Sequence, residues 1–167
     1  MKLSEIQKGE LIVIDTNILV YANQQKSRQC SQLLRRCAIG EVRGIVPMPM
    51  VVELVHILIM IEARDNNWIK QSNPAQTFSE SPELIQRLGR YATQIREFLG
   101  IGLRIESAIS YDIIEALNIQ REYGLLPNKA LLLAIARRLN CDAIASADKA
   151  LEKAKGFLVY SPRDIGE

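Results

Sequence analysis

Four aliphatic residues, Leu11, Ile12, Val13 and Ile14, pass directly into Asp15, Thr16 and Asn17. A run that is apolar at every position, rather than at alternate ones, suits a strand covered on both faces, as in the middle of a parallel sheet. Ligands of open α/β sheets gather beyond the carboxyl ends of such strands. Asp15 would stand at that edge, held by a strand with no room to move. Many α/β domains end a buried strand in an acid, so the question is whether other carboxylates arrive at the same place.

The rest of the chain alternates helix and strand. Cys30, Leu33, Leu34 and Cys37 outline an amphipathic helix that Gly40 ends. Residues 42–47 read as a short strand stopped by Pro47 and Pro49. A helix then runs from Pro49 to about Ala63, apolar nearly all round and expected to be deeply buried. The polar stretch 65–81 is too long for a plain connector and reads as an excursion or the carrier of a short helical piece. Ser81 as N-cap and Pro82 in the first turn predict one helix reaching Leu99, stopped by Gly100 and Gly102. Strands at 103–107, 142–146 and 157–161 and helices at 110–123, 127–139 and 147–155 complete the pattern, with Gly124 closing the first of these helices. Such alternation predicts a three-layer α/β fold on a mostly parallel five-stranded sheet. At 167 residues the chain is expected to form a single domain, with 65–99 as a loop-plus-helix excursion.

Bulk properties narrow the class. No window is long and apolar enough to cross a bilayer, and the polar start MKLSEIQKGE is not a secretory signal. Three cysteines, Cys30, Cys37 and Cys141, do not read as a disulfide framework, and Cys30 and Cys37, seven apart on one helical face, are expected to be reduced and partly buried. The expectation is a cytoplasmic protein. A net charge of +2 neither demands nor excludes nucleic acid.

The acids, placed on this layout, converge. Asp15 follows the first strand. Glu53 lies in the early turns of the helix after the second, the only acid from Val46 to Ile61, and Asp148 lies two residues past the fourth strand. All three fall at the carboxyl edge of a parallel sheet. Carboxylates gathered without basic partners repel one another, and the common resolution is a hard divalent cation with oxygen ligands, which can activate water and neutralise charge on a phosphodiester. Each acid also has a plainer reading: Asp15 as cap of the next helix, Glu53 in a core ion pair, Asp148 as an ordinary N-cap.

These pieces in this order, DTN after an apolar strand, Glu53 in a buried helix, YGLLPN followed by KALLLAIA, and a strand ending in SAD, resemble the PIN-domain nucleases over roughly 11–162. The resemblance implies a Rossmann-like α/β/α sandwich and a nuclease that uses three or four acids to hold Mg²⁺ or Mn²⁺ and cleaves single-stranded RNA. It also implies a toxin of a VapBC-type toxin–antitoxin pair, hence an antitoxin protein as partner, and a homodimer. Carried over by position, Asp15, Glu53 and Asp148 are the catalytic, metal-holding acids, and Asn17 and Ser146 are polar residues that support them.

One position departs. Where the family carries its third acid, this chain has Lys129. A lysine in the first turn of a helix is disfavoured by up to ~1 kcal/mol, and the exchange lowers the site's negative charge by two units, so metal affinity should fall. Three alternatives stay open: the ammonium pairs with Asp15 and Asp148 as an internal counterion, leaving the metal site weakened or filled; it snorkels to solvent and leaves three acids for one ion; or the module is catalytically silent and binds RNA or a protein partner. Asn128 could offer a neutral oxygen but is expected to cap its helix, and Asp112 and Asp142, the possible substitutes for the missing acid, are expected to start a helix and a strand.

Weaker signals add little. Glu53 and His56 spell E-x-x-H, but a di-iron site needs a second such motif and His56 is the sole histidine. It is expected to be a hydrogen-bonded core residue. No G-x-S-x-G, P-loop or glycine-rich dinucleotide turn is present, so acyl transfer and nucleotide hydrolysis have no support. The arginine pairs 35–36 and 137–138 fit solvated helix faces as well as phosphate contacts. The helix 49–63 and the segment 65–99 are candidate contact elements for a partner.

Overall fold

Ile12, Val13 and Ile14 are wholly enclosed, and with Leu11 they form β1 (Leu11–Ile14). Four further strands flank it: β2 (Arg43–Pro47), β3 (Arg104–Glu106), β4 (Ala143–Ala145) and β5 (Leu158–Tyr160). Their order is β3-β2-β1-β4-β5 and all four pairings are parallel. Val13 lies opposite Ile45 on one side and Ile144 on the other. The computed structural model describes residues 1–69 and 74–165. The predicted α/β architecture is therefore observed, with a sheet that is parallel throughout.

Among the described residues eight α-helices surround the sheet: α1 (Thr16–Asn23), α2 (Arg28–Ala38), α3 (Met48–Asp65), α4 (Pro74–Glu80), α5 (Pro82–Arg87), α6 (Arg90–Leu99), α7 (Ser110–Tyr123) and α8 (Pro127–Arg138). None is long and apolar enough to cross a membrane. The chain builds β2 and β3 outward on one side of β1, then returns to place β4 and β5 on the other. The switch point, where open α/β sheets form their crevice, is thus between β1 and β4. Gly124 closes α7 at φ +67°, a left-handed conformation that glycine adopts without a Cβ clash.

Several elements differ from the sequence expectation. Helix α3 is amphipathic rather than buried all round: Met50, Val51, Leu54 and Leu58 face the core, while Val52 and His56 are exposed on the opposite side. His56 is therefore a surface residue, because four-residue spacing puts it on the face of Val52 rather than of Leu54. The predicted helix 81–99 is two helices, since Leu88 is extended and Gly89 caps α6. The cause is Glu62 of α3, whose carboxylate accepts the backbone N–H groups of Gly89 (2.9 Å), Arg90 (3.0 Å) and Tyr91 (2.7 Å). A continuous helix would tie up all three of these donors internally. The excursion contains the short helical piece α4, and residues 70–73 of it lie outside the described residues. The segment after β4 is a 3-10 turn, Lys149–Lys153, instead of an α-helix.

Candidate functional site

At the switch point the ends of β1 and β4 bring Asp15 and Ser146 together. Asp15 is completely buried (0% exposed), and its backbone N–H donates to Ala145 O (3.0 Å), which continues the ladder and fixes where the carboxylate points. Ser146 Oγ donates to Asp15 Oδ2 at 2.6 Å, and Asn17 Nδ2 donates to the same oxygen at 2.9 Å. Asn17 in turn accepts from the Ala147 N–H (3.0 Å), and Ser146 Oγ accepts from the Asp148 N–H (3.0 Å). The two supporting residues thus lock the loop after β4 to the start of α1 around one carboxylate.

The remaining partner of Asp15 is Lys129. Its Nζ stands 2.6 Å from Oδ1 and 2.8 Å from Oδ2, and its side chain is 17% exposed. Leu126 is the N-cap of α8 and Pro127 opens it, so Lys129 falls in the first turn with its stem directed at the end of β1. A buried carboxylate costs several kcal/mol unless it is paired and hydrogen-bonded, and here both conditions are met by residues of the chain itself. Of the open alternatives for Lys129, the structure makes the contact with Asp15, and among the described residues no ion pair joins Lys129 to Asp148. Asp15 occupies the N-cap position of α1 but its side chain makes no capping bond.

The other two acids are near but differently engaged. Glu53 Oε2 accepts from Thr16 Oγ1 (2.8 Å) and forms no ion pair among the described residues. The Thr16 hydroxyl also lies 3.2 Å from Met50 O, and its single proton belongs to the shorter, charged partner. Asp148 is the N-cap of the 3-10 turn, its Oδ1 accepting from the Ala150 N–H (2.9 Å). Glu53, Lys129 and Asp148 line one cleft of about 570 Å³, with Leu125, Leu126, Pro127 and Ala150 as its apolar wall. Among the described residues no three His, Cys, Asp or Glu side chains lie together as a group able to hold a metal ion. With both oxygens of Asp15 committed to Lys129, Ser146 and Asn17, the arrangement does not fit Mg²⁺ or Mn²⁺.

Thr16, the hydroxyl that orients Glu53, escapes sequence reasoning. Its place between Asp15 and Asn17 was a usable signal, because a residue that opens a helix beside a strand end must face a neighbouring element. Asn128 sits one position past Pro127, exposed and without a capping bond, because the proline takes the first helical place. Asp142 precedes β4 and is exposed. Asp112, by contrast, is fully buried in α7, where Arg138 Nε donates to its Oδ1 (2.8 Å). Arg138 also reaches Glu106 (2.9 Å) and Ser107 O (2.9 Å), and Arg137 pairs with Glu115. These arginines tie α8 to β3 and α7: Arg138 is half-buried with its guanidinium engaged by Asp112 and Glu106, while Arg137 is exposed and paired with Glu115, on the solvated face that the sequence allowed.

Comparison with known proteins follows the same outline. A family model described as the PIN domain matches residues 12–156. No curated protein matches the chain. Among solved structures, VapBC2 from Rickettsia felis, bound to a DNA fragment from its promoter, superposes with a TM-score of 0.60 at 15% identity, covering 91% of this chain and 98% of that one. A toxin–antitoxin complex from Klebsiella pneumoniae superposes with a TM-score of 0.56 at 15% identity, covering 88% and 95%.

Proposed function

The chain belongs to the PIN-domain family, and on that premise we propose that it is a binding module, a PIN fold in which Lys129 takes the place of the cation and which engages a protein partner of the antitoxin kind. The observation that carries this reading is the Lys129 ammonium seated on both oxygens of Asp15. A divalent ion would have to displace a group that already matches the charge of Asp15. Charge also disfavours RNA as the occupant. With Asp15 neutralised, the cleft still presents Glu53 and Asp148, and a phosphodiester would meet two carboxylates while the ammonium of Lys129 is already engaged by Asp15. A protein partner meets no such repulsion. The likeness to a toxin–antitoxin complex supports a partner of that kind. So does an apolar groove of about 380 Å³ lined by Leu34, Leu54, Leu58 and Phe98, to which both candidate contact elements contribute.

A second reading, a Mg²⁺- or Mn²⁺-dependent endoribonuclease acting on single-stranded RNA as the toxin of a VapBC-type pair, is favoured by one observation. Lys129 lines an open cleft, and its flexible stem has room to swing the ammonium away from Asp15, Glu53 and Asp148. One experiment separates the two. Mn²⁺ is titrated into the unmodified protein, Asp15→Asn and Lys129→Asp, with cleavage of unstructured RNA and the melting temperature as readouts. The binding-module reading expects no cleavage and no Mn²⁺-dependent stabilisation of the unmodified protein, and stabilisation by Mn²⁺ in Lys129→Asp. Metal-dependent cleavage by the unmodified protein, abolished in Asp15→Asn, would overturn it in favour of the nuclease.

A further inference from the structure

Leu54, Leu58 and Glu62 follow one another at four-residue spacing on α3 and so share one helical face. The first two line the apolar groove, while Glu62, 7% exposed, stands where the stripe calls for another apolar residue. A buried carboxylate is tolerated only while it is hydrogen-bonded, and this one takes its bonds from the backbone at the start of α6. Helix α6 is also a wall of the groove, to which it contributes Gln94, Glu97 and Phe98. Its two ends are anchored differently. Leu88, just ahead of it, belongs to the smaller apolar cluster, and Phe98, near its end, to the larger one. Past that end Gly102 adopts φ +88°, a left-handed joint with open space around it. Among the described residues, the hydrogen bond that ties this wall to α1 is a long one, from Gln94 Nε2 to Asn23 Oδ1 at 3.3 Å.

We propose that α6 is a hinged wall of the groove and Glu62 its latch. With the carboxylate seated on Gly89, Arg90 and Tyr91 the groove is narrow; with that cap broken, α6 turns about its Phe98 end and the groove widens. An apolar residue at position 62 would hold the wall through contacts that can slide. A carboxylate that accepts three N–H groups holds it in one place or releases it, because such bonds weaken steeply with distance and angle. Moving elements are drawn from the parts of a fold with few buried contacts and pivot on a few terminal residues. The start of α6 lies about 12 Å along the helix from Phe98, so a modest turn carries it through several ångströms. Glu62 does not itself line the groove, so it acts there as a positioning residue. The inference rests on the reading of this groove as a partner's seat, and it makes that seat adjustable by a side chain the partner does not touch.

The test is the distance between nitroxide labels on Gln32→Cys and Thr93→Cys, read by double electron–electron resonance. Both positions are exposed, on α2 and α6, and neither lines the groove. All three native cysteines are buried, which leaves the two new thiols to take the label. With Glu62 in place a single narrow distance is expected. Glu62→Gln is expected to add a second population, longer by roughly 3 Å or more. The distance from Gln32→Cys to Arg121→Cys, exposed on α7, stays the same, as does far-ultraviolet circular dichroism. Glu62→Asp keeps the charge but reaches fewer donors; it gives the longer population in smaller share and serves where Glu62→Gln fails to fold. An unchanged α2–α6 distance in both variants, with only the melting temperature lowered, would overturn the proposal by reducing Glu62 to a stabilising cap. Broadening of both distances would overturn it as well, since the whole fold would then have loosened. The labels report on the protein by itself, so the absence of an antitoxin-like partner would sink the binding-module reading and leave this result standing.

Discussion

Lys129 pays for an unfavourable position in the first turn of α8 with a contact made nowhere near it in sequence: Asp15 lies 114 residues away. The helix dipole costs it up to ~1 kcal/mol, whereas leaving Asp15 buried without a counterion costs about 3–5 kcal/mol. Lys129→Met is therefore expected to lower stability to urea by that larger amount. Asp15→Asn/Lys129→Met should recover most of the loss, and the double-mutant cycle reads the coupling directly. Coupling below about 1 kcal/mol would show that Ser146 and Asn17 alone support Asp15. The sequence points to position 129 as a departure because the residues around it match a pattern. It does not say which way the stem turns, since several rotamers of a long side chain are open until the end of β1 closes over it. His56 teaches the converse: its one-letter neighbourhood looks apolar, and only the helical phase of α3 shows that it faces out.

Among the elements, α6 owes its start to a side chain of another helix. Burial alone would raise the Glu62 carboxyl, but three backbone N–H donors at Gly89, Tyr91 and Arg90, with the charge of Arg90, outweigh it and hold the group below its ordinary value of 4.5. A carboxyl whose pKa is depressed by folding contributes stability that is full above 4.5 and is lost as pH falls through the lower folded value. Glu62→Gln should cost roughly 2 kcal/mol at neutral pH through lost charge-assisted bonds. The gap between variant and unmodified protein, followed by thermal melts, should narrow below pH 4.5. A gap independent of pH would refute this account of the cap. This is where the sequence misleads: 81–99 has a good helix start and a good stop, and the break at Gly89 is set by a partner in α3 that no local pattern contains. Strand β1 and helices α7 and α8 are legible because their periods, caps and closing glycine are all local.

For the whole molecule, two apolar clusters share the chain. The larger surrounds the sheet, and the smaller joins Met60, Ala63, Ile69, Phe78 and Leu88 under the excursion. Trp68, the sole tryptophan, packs on the smaller cluster with Arg87 over its ring at 4.6 Å. A cluster that small is expected to open first, so Trp68 emission should change at a lower urea concentration than far-ultraviolet circular dichroism. Coincident transitions would mean the two clusters melt as one unit. The sheet itself has a consequence in time. β1 is complete once residue 14 has been made, but its second edge waits for Ile144 and Ala145 of β4, and Asp15 waits for Lys129 and Ser146. During synthesis the ribosome therefore releases the first strand long before anything can close over it. The buried carboxylate is among the last features to assemble, and a nascent chain halted before β4 would carry an open apolar edge that chaperones must shield.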